Sequence, residues 1–163
     1  MTTEIDDHVL TTRRTFDAPR DDVFAAFTDP HQLELWWGPE GYTTVTYELD
    51  LRRGGVWHYC LRAASEAVGA DSCVKSWYQD VVIPERLHYR DTFVDGEGEQ
   101  IAESPEFLVT IVFREVGDQT EVDMVTDFAS SDQLQTVVAM GMIEGVTESF
   151  VRLDAALASR RTR

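Results

Sequence analysis

The sequence predicts an α+β domain in which a curved antiparallel sheet packs around one long C-terminal helix. Residues 130–159 contain no proline, and their apolar residues recur at three- and four-residue spacing, which is typical of one apolar face of a helix. Most segments before Ser130 alternate between apolar and polar residues, as strands do. These segments do not alternate with helices along the chain, which disfavours a parallel sheet. Because the apolar face of a sheet needs a partner, we expect the sheet to wrap around this helix.

The N-terminal part of the chain predicts one strand and two short helices. Residues 9–16 are rich in β-branched residues and form the first predicted strand. Pro19 suits the first turn of a helix, and a second short helix follows until the Gly38-Pro39 pair ends it. Residues 1–8 are polar and acidic, and we expect them to be disordered.

Six further strands are predicted between the second short helix and the C-terminal helix. Turns and loops that contain glycine, proline or several carboxylates separate them. In one of them, Leu87, Tyr89 and Phe93 share a face. The predicted order is therefore one strand, two short helices, six strands and the long helix. The six segments are residues 42–51, 56–61, 73–83, 87–94, 107–116 and 120–128.

The predicted C-terminal helix begins after a cluster of capping residues and contains two glycines. Ser130 and its two neighbours supply the N-cap signal. Gly141 and Gly145 are unusual inside a helix, because each costs about 1 kcal/mol relative to alanine. They indicate either close packing of the helix on the sheet or space that is left there for a ligand.

Length and charge limit the classes of function. A chain of 163 residues is expected to form one domain over residues 1–163 with a sizeable core. Its formal net charge of −16 argues against nucleic acid and anionic membrane surfaces as partners. No apolar run approaches the roughly 20 residues that cross a bilayer, so we expect no membrane insertion. The N-terminus lacks the apolar core of a signal peptide, and a cytoplasmic location is predicted.

The two cysteines carry little functional signal. Cys60 and Cys73 lack the spacing of a metal-ligand pair. They could approach each other across a hairpin, but in a reducing compartment we expect both to be buried as small apolar side chains.

Five segments along the chain together carry a resemblance to a known family. The segments are FDAPRDDVFAAFTDPHQLELWWGP (residues 16–39), DLRRGGVW (50–57), VIPERL (82–87), GDQTEVDMV (117–125) and GMIEGVTESFVRLDAAL (141–157). In series they are similar to the bacterial proteins related to the C-terminal domain of the heat-shock-protein-90 ATPase activator, which belong to the START-like (SRPBCC) superfamily. Two positions depart from the pattern, since Ile83 stands where a second proline is frequent and Ser76 where glycine is frequent.

The resemblance implies a helix-grip fold, in which a seven-stranded antiparallel sheet grips the C-terminal helix and leaves a cavity between them. Characterised relatives in the superfamily bind lipids, hormones or polyketides, and some cyclise or dehydrate polyketides. We therefore expect a small hydrophobic ligand, lipid-like or aromatic, in that cavity, with no cofactor and no catalytic residue assigned. The alternatives are a polyketide cyclase or dehydratase-like enzyme and a protein-interaction module such as a chaperone cofactor. A homodimer is compatible with each of these three functions.

Large apolar side chains are the candidate ligand-binding residues. Tryptophan and tyrosine combine an apolar body with a polar group, which suits a cavity for a flat, mostly apolar ligand. The alternative is that these side chains simply fill the core. Trp36 and Trp37 precede a loop and are expected near the entrance. The candidate set is Trp36, Trp57, Tyr59, Trp77, Tyr89, Phe107, Met124, Phe128 and Met142.

Few ionisable residues are candidates for chemistry. His58 and His88 fall on the strand face opposite the apolar one, so a solvated position is expected and no metal site is predicted. Asp80 lies in a strand of mostly apolar and aromatic residues. An inward position would raise its pKa and make it a possible acid or base, whereas an outward position would leave it solvated. Arg14 and Arg90 are the basic side chains that could reach the cavity.

Overall fold

One open, curved sheet of eight antiparallel strands dominates the computed structural model, which describes residues 1–161. The strand order is β1-β2-β8-β7-β6-β5-β4-β3. The strands are β1 (Thr2–Asp6), β2 (Val9–Phe16), β3 (Tyr42–Leu49), β4 (Val56–Ala63), β5 (Ser72–Val82), β6 (Arg86–Val94), β7 (Glu106–Val116) and β8 (Gln119–Asp127). The helices are α1 (Arg20–Ala26), α2 (Pro30–Trp36), α3 (Ser131–Ala139) and α4 (Met142–Arg161).

Helix α4 packs on the concave face of the sheet. Phe150, Leu153 and Leu157 on α4 are buried in the main core. The rings of Phe150 and Phe16 meet edge to face with centroids 5.4 Å apart, which ties the helix to β2. Truncation of such a buried phenylalanine to alanine costs about 3–5 kcal/mol. This arrangement is a helix-grip fold, and the predicted α+β fold class is confirmed.

The two short helices close the core between β2 and β3. Asp29 caps α2, because its side chain accepts a hydrogen bond from the backbone N–H of His31, and Pro30 occupies the first turn. The indole N–H of Trp36 donates to the carbonyl oxygen of Ala26 at 2.9 Å. Because this bond joins the ends of the two helices, it places Trp36 at the inner end of the space under α4.

The sheet has eight strands where seven were predicted. Residues 1–8 were expected to be disordered, but Thr2–Asp6 forms β1, an edge strand paired with β2 from Thr2↔Arg13 to Asp6↔Val9. All five residues of β1 are exposed. An edge strand needs only backbone hydrogen bonds on one side, so no apolar alternation marks it in the sequence.

The predicted single C-terminal helix is in fact two helices. Gly141 adopts a φ of +100° between α3 and α4, a conformation that L-residues rarely adopt and that ends helices. The fully buried residues of the two helices belong to different clusters. Leu134 of α3 is buried with Leu10 and Phe128, whereas Phe150, Leu153 and Leu157 of α4 belong to the main core, and only the first turn of α4 packs against the Leu134 cluster. The apolar spacing continues across the break, which is why the sequence reads as one helix.

The cysteines are joined, contrary to the prediction of reduced side chains. Cys60 of β4 lies directly opposite Cys73 of β5, and the two form a disulfide with their Cα atoms 4.0 Å apart. The pair lies with Val94 in a small buried cluster of its own. Strand register decides this contact, and the sequence alone does not fix the register.

Within residues 1–161, no helix combines the length and apolar character needed to cross a bilayer. The cytoplasmic location inferred from the sequence stays a prediction.

Candidate functional site

A cavity of about 220 Å³ lies between the concave face of the sheet and α4. An engineered apolar cavity of about 150 Å³ admits benzene, and pockets for drug-sized ligands measure roughly 300–1,000 Å³. The space therefore suits a substituted single ring or a compact bicyclic molecule. Its aromatic lining residues are Trp36, Trp37, Tyr59, Tyr89, Phe93, Phe107 and Phe150.

The cavity opens at one end of the sheet. The half-buried lining residues Leu61, Ser72, Phe93 and Phe107 belong to the ends of β4 to β7 that lie at the same edge, and Met142 begins α4 beside them. The opposite end is closed by side chains that are fully or almost fully buried, among them Trp36, Tyr89 and Phe150. The opening of the cavity therefore lies near the junction of α3 and α4.

Six of the nine candidate residues line this cavity. They come from α2, four of the strands and the first turn of α4, which the fold brings together around one space. The six are Trp36, Tyr59, Tyr89, Phe107, Met124 and Met142.

The other three candidates lie elsewhere, and their predicted place in the lining is wrong. Trp57 does not line the cavity but stacks on Tyr59, which does, with ring centroids 4.1 Å apart. Phe128 belongs to the cluster with Leu10 and Leu134. Trp77 faces away from the cavity and carries the guanidinium of Arg90 over its ring at 4.5 Å. The sequence left this strand ambiguous because Trp77 and Tyr78 are both aromatic, and only Tyr78 joins the main core.

The most informative side chain in the cavity is Asp91. It is only 7% exposed and lines the cavity from β6. The Ser76 hydroxyl of β5 donates a hydrogen bond to its Oδ1 atom. Burial raises the pKa of Asp91 to about 7, and the hydrogen bond from Ser76 opposes that rise. A carboxyl group that is partly ionised at neutral pH thus faces an otherwise apolar space.

Sequence reasoning missed Asp91, although a signal was present. Leu87, Tyr89 and Phe93 were assigned to one face of their strand, and Asp91 has the same parity. An acidic residue that interrupts an inward apolar series is a candidate buried group. Trp37 and Phe150 were also absent from the candidate set, although both line the cavity.

Three buried tyrosines interact electrostatically with Asp91. Burial is the main cause that raises the pKa of Tyr59, Tyr78 and Tyr89 far above the usual range, and the charge of Asp91 raises each further. The three hydroxyls therefore stay protonated at physiological pH. Among them, Tyr59 and Tyr89 line the cavity and can donate hydrogen bonds to a bound molecule.

Arg152 of α4 holds the loop at the entrance. Its Nη1 atom donates to the carbonyl oxygen of Gly38 at 2.9 Å and reaches that of Tyr42 at 3.4 Å, and its Nη2 atom reaches that of Leu35 at 3.3 Å. The backbone N–H of Glu40 donates to Glu148 on the same helix at 2.9 Å. These bonds keep the wall that carries Trp37 against α4.

The other ionisable candidates point away from the cavity. Asp80 forms an ion pair with Arg86 at 2.7 Å, and the hydrogen bond from that arginine is the main cause that lowers its pKa, so it is not the inward acid. Arg14 pairs with Asp154 of α4. Arg90 pairs with Glu106 at 2.7 Å. None of these side chains is part of the cavity lining.

The histidines do not form a metal site. His88 lies 2.9 Å from the hydroxyl of Thr110 through its Nδ1 atom. His58 is half-buried, and burial together with the charge of Lys75 lowers its pKa. Within the described residues, no group of three or more histidine, cysteine or acidic side chains is placed to hold a metal ion.

Solved structures confirm the fold. A crystal structure of a protein from Mycobacterium smegmatis is 28% identical, with a TM-score of 0.89 and coverage of 96% of each chain. A solution structure of a protein from Arthrobacter aurescens is 26% identical, with a TM-score of 0.88 over 97% of this chain and 91% of that one. A solution structure of a protein from Staphylococcus epidermidis is 27% identical, with a TM-score of 0.86 over 98% and 95%.

The family follows from the match along the sequence. No functionally curated protein matches the chain. The family model for activator of Hsp90 ATPase homolog 1-like proteins matches residues 17–158, which include both short helices, the six strands β3 to β8, and nearly all of the C-terminal region. The chain belongs to the family of activator of Hsp90 ATPase homolog 1-like proteins.

Proposed function

We propose that the chain binds a compact, mostly apolar molecule with one or two rings in the cavity between the sheet and α4. The observation that carries the proposal is the cavity itself. Protein interiors are close-packed, and a water molecule occupies only about 30 Å³ of liquid volume. The space of about 220 Å³ between the sheet and α4 is walled by aromatic and aliphatic side chains. It is far larger than a packing defect that would hold one water molecule.

The size and lining of the cavity favour a ring over a long acyl chain. Lipid-like and aromatic ligands were both expected from the sequence, and the cavity is smaller than the usual pocket of a drug-sized ligand. Flat aromatic walls such as Trp37 and Tyr89 also pack well against a planar molecule. A protein-interaction module would have a filled core, so the cavity favours ligand binding over that alternative.

The absence of a nucleic-acid partner and the formation of a homodimer stay predictions.

Titration of the purified chain with naphthylmethanol, a neutral bicyclic probe, tests the proposal. We expect saturable binding by calorimetry, with amide chemical-shift changes in β6 and α4. Gly145 offers a matched pair of variants, because a Cβ atom there would meet only Pro39, at 4.0 Å. Gly145→Leu should fill the cavity and abolish binding, whereas Gly145→Ala should retain it. Binding that survives in a folded Gly145→Leu variant, or shifts confined to the outer face of the sheet, would contradict the proposal.

Asp91 favours a second candidate function, which is proton transfer on the bound molecule. A carboxyl group with a pKa of about 7 beside tyrosine hydroxyls has the acid–base balance that such chemistry requires. The carboxylate would remove a proton from a carbon next to a carbonyl group, and a tyrosine hydroxyl would donate to the carbonyl oxygen. Exchange of the methyl protons of acetonaphthone in deuterated water measures this activity. The rate should exceed that with Asp91→Asn, and equal rates would exclude the proton-transfer role.

A further inference from the structure

The cavity contains a negative group without a positive partner. Arginine, lysine and histidine are absent from its lining within residues 1–161, and Asp91 is its single acidic residue there. In that part of the chain, the hydrogen bond from Ser76 reaches Oδ1, and none is recorded at Oδ2. A buried carboxylate without a cation is costly. A ligand that carries a positive charge would remove that cost.

The walls around Asp91 suit a cation as well. Trp37 and Tyr59 face the same space, with ring centroids 6.1 Å apart, and Tyr89 lies on the same strand as Asp91. Aromatic faces attract cations within about 6 Å, and most strongly where water is excluded. The net charge of −16 also draws cationic molecules towards the protein and repels anionic ones.

We propose that the ligand of this cavity is a compact aromatic amine, whose protonated nitrogen pairs with the Asp91 carboxylate while its ring packs among the aromatic side chains. This inference rests on the proposed function and specifies the class of ligand. It assigns Asp91 the role of a specificity determinant, because a neutral molecule of the same shape would leave the carboxylate without its partner.

The pH dependence of binding distinguishes this role from a neutral Asp91 that donates a hydrogen bond to a carbonyl group. Ser76 of β5 donates a hydrogen bond to Asp91, and the titratable groups that interact with it are Tyr59 of β4, Tyr78 of β5 and Tyr89 of β6. The side chains of β7 and α4 that line the cavity carry no charge. The tyrosines stay protonated, so Asp91 is the group that titrates near neutrality. Amine affinity should therefore rise about tenfold between pH 6 and pH 8, whereas the affinity for a carbonyl ligand should fall.

Calorimetry with three probes of matched shape provides the test: naphthylmethylamine, naphthylmethanol and acetonaphthone. At pH 8 the amine should bind roughly tenfold or more tightly than the alcohol, as expected for a charge-assisted hydrogen bond. The isosteric Asp91→Asn variant should bring the affinity for the amine down to that for the alcohol. Asp80→Asn, which removes an exposed carboxylate outside the cavity, should bind all three probes as the parent does.

Any of four results would overturn the inference. If the alcohol binds in the cavity as tightly as the amine, or if the preference for the amine persists in Asp91→Asn, the proposed function stands and the amine specificity fails. If acetonaphthone binds better at pH 6 than at pH 8 and better than the amine, Asp91 acts as a neutral donor. If none of the three probes shifts the amides of β6 and α4, both the inference and the proposed function fail.

Discussion

The hydroxyl of Ser76 donates a hydrogen bond to the carboxyl group of Asp91 in the wall of an otherwise apolar cavity. This bond favours the ionised form of Asp91, and burial opposes it more strongly. The balance leaves the carboxyl group with a pKa of about 7, so its charge changes within the physiological range.

Asp91 should therefore make the stability of the empty protein depend on pH. Its folded-state pKa lies above the ordinary value of an unfolded aspartate, so the folded state binds more protons between about pH 4 and pH 7. Its contribution is fully present below about pH 4 and is lost as the pH rises through about 7. In Asp91→Asn, which cannot ionise, we expect the free energy of unfolding at pH 8 to exceed that of the parent by roughly 2–4 kcal/mol.

Urea denaturation at pH 4 and pH 8 measures this effect. The advantage of Asp91→Asn over the parent should shrink towards pH 4, where both side chains are neutral in the folded state. Asp80→Asn controls for the loss of a carboxylate in general. An equal difference between Asp91→Asn and the parent at both pH values would show that the Asp91 pKa is not raised.

Arg152 should stabilise the entrance loop through its bonds to backbone carbonyl groups. Arg152→Met keeps the aliphatic stem but removes every donor, so the carbonyl groups of Leu35, Gly38 and Tyr42 lose their partner. We expect a loss of about 1–3 kcal/mol in the free energy of unfolding. Amide hydrogen exchange in residues 37–42 should also accelerate. Glu148→Gln retains an acceptor for the Glu40 N–H, so it should change amide hydrogen exchange in the loop much less. Equal acceleration of exchange in both variants would show that Arg152 is not the residue that holds the loop.

The disulfide should contribute to stability without shaping the cavity. Cys60 and Cys73 are separated by 13 positions in the sequence. Closing a loop of about this length restricts the unfolded chain by roughly 3 kcal/mol. A reductant should therefore lower the denaturation midpoint of the parent and leave Cys60→Ala/Cys73→Ala unaffected, while naphthylmethanol binds both. Two freely reacting thiols in the untreated, unfolded parent would contradict the pairing.

The two glycines of the C-terminal region should respond oppositely to alanine. Gly145 is helical, and a Cβ atom there would make only an ordinary contact, so Gly145→Ala should stabilise the protein by up to about 1 kcal/mol. Gly141 has a φ of +100°, so Gly141→Ala should destabilise it by roughly 1–2 kcal/mol. Thermal denaturation of both variants measures the signs. A stabilising Gly141→Ala would indicate that α3 and α4 join into one helix.

Much of the fold follows from local patterns. Apolar alternation, β-branched and aromatic residues, and the turn signals between segments together located every strand from β2 to β8 to within two residues. Apolar alternation could not find β1, whose residues are all exposed. It also could not find the break at Gly141, because the apolar spacing of α3 and α4 has no gap there and a backbone angle leaves no mark on such a pattern.

The cavity residues were predictable where one side of a strand carried a single clear pattern. Tyr89 and Met124 belong to such patterns and line the cavity, and Asp91 has the same parity as Tyr89. Trp77 was misplaced because the adjacent Tyr78 is equally aromatic, so parity alone did not decide which ring faces inward. The size of the space under α4 depends on how the side chains pack, which no local pattern encodes.

Strand β1 changes the character of one open edge of the sheet. Without it, the outermost strand would be β2, whose alternating Leu10 and Phe16 make it a ready template for another chain. With it, the outermost strand is short, fully exposed and carries Glu4 and Asp6. Two copies that approached along this edge would bring like charges together before any backbone bond could form. The acidic N-terminal strand thus disfavours edge-to-edge pairing between two copies of the chain.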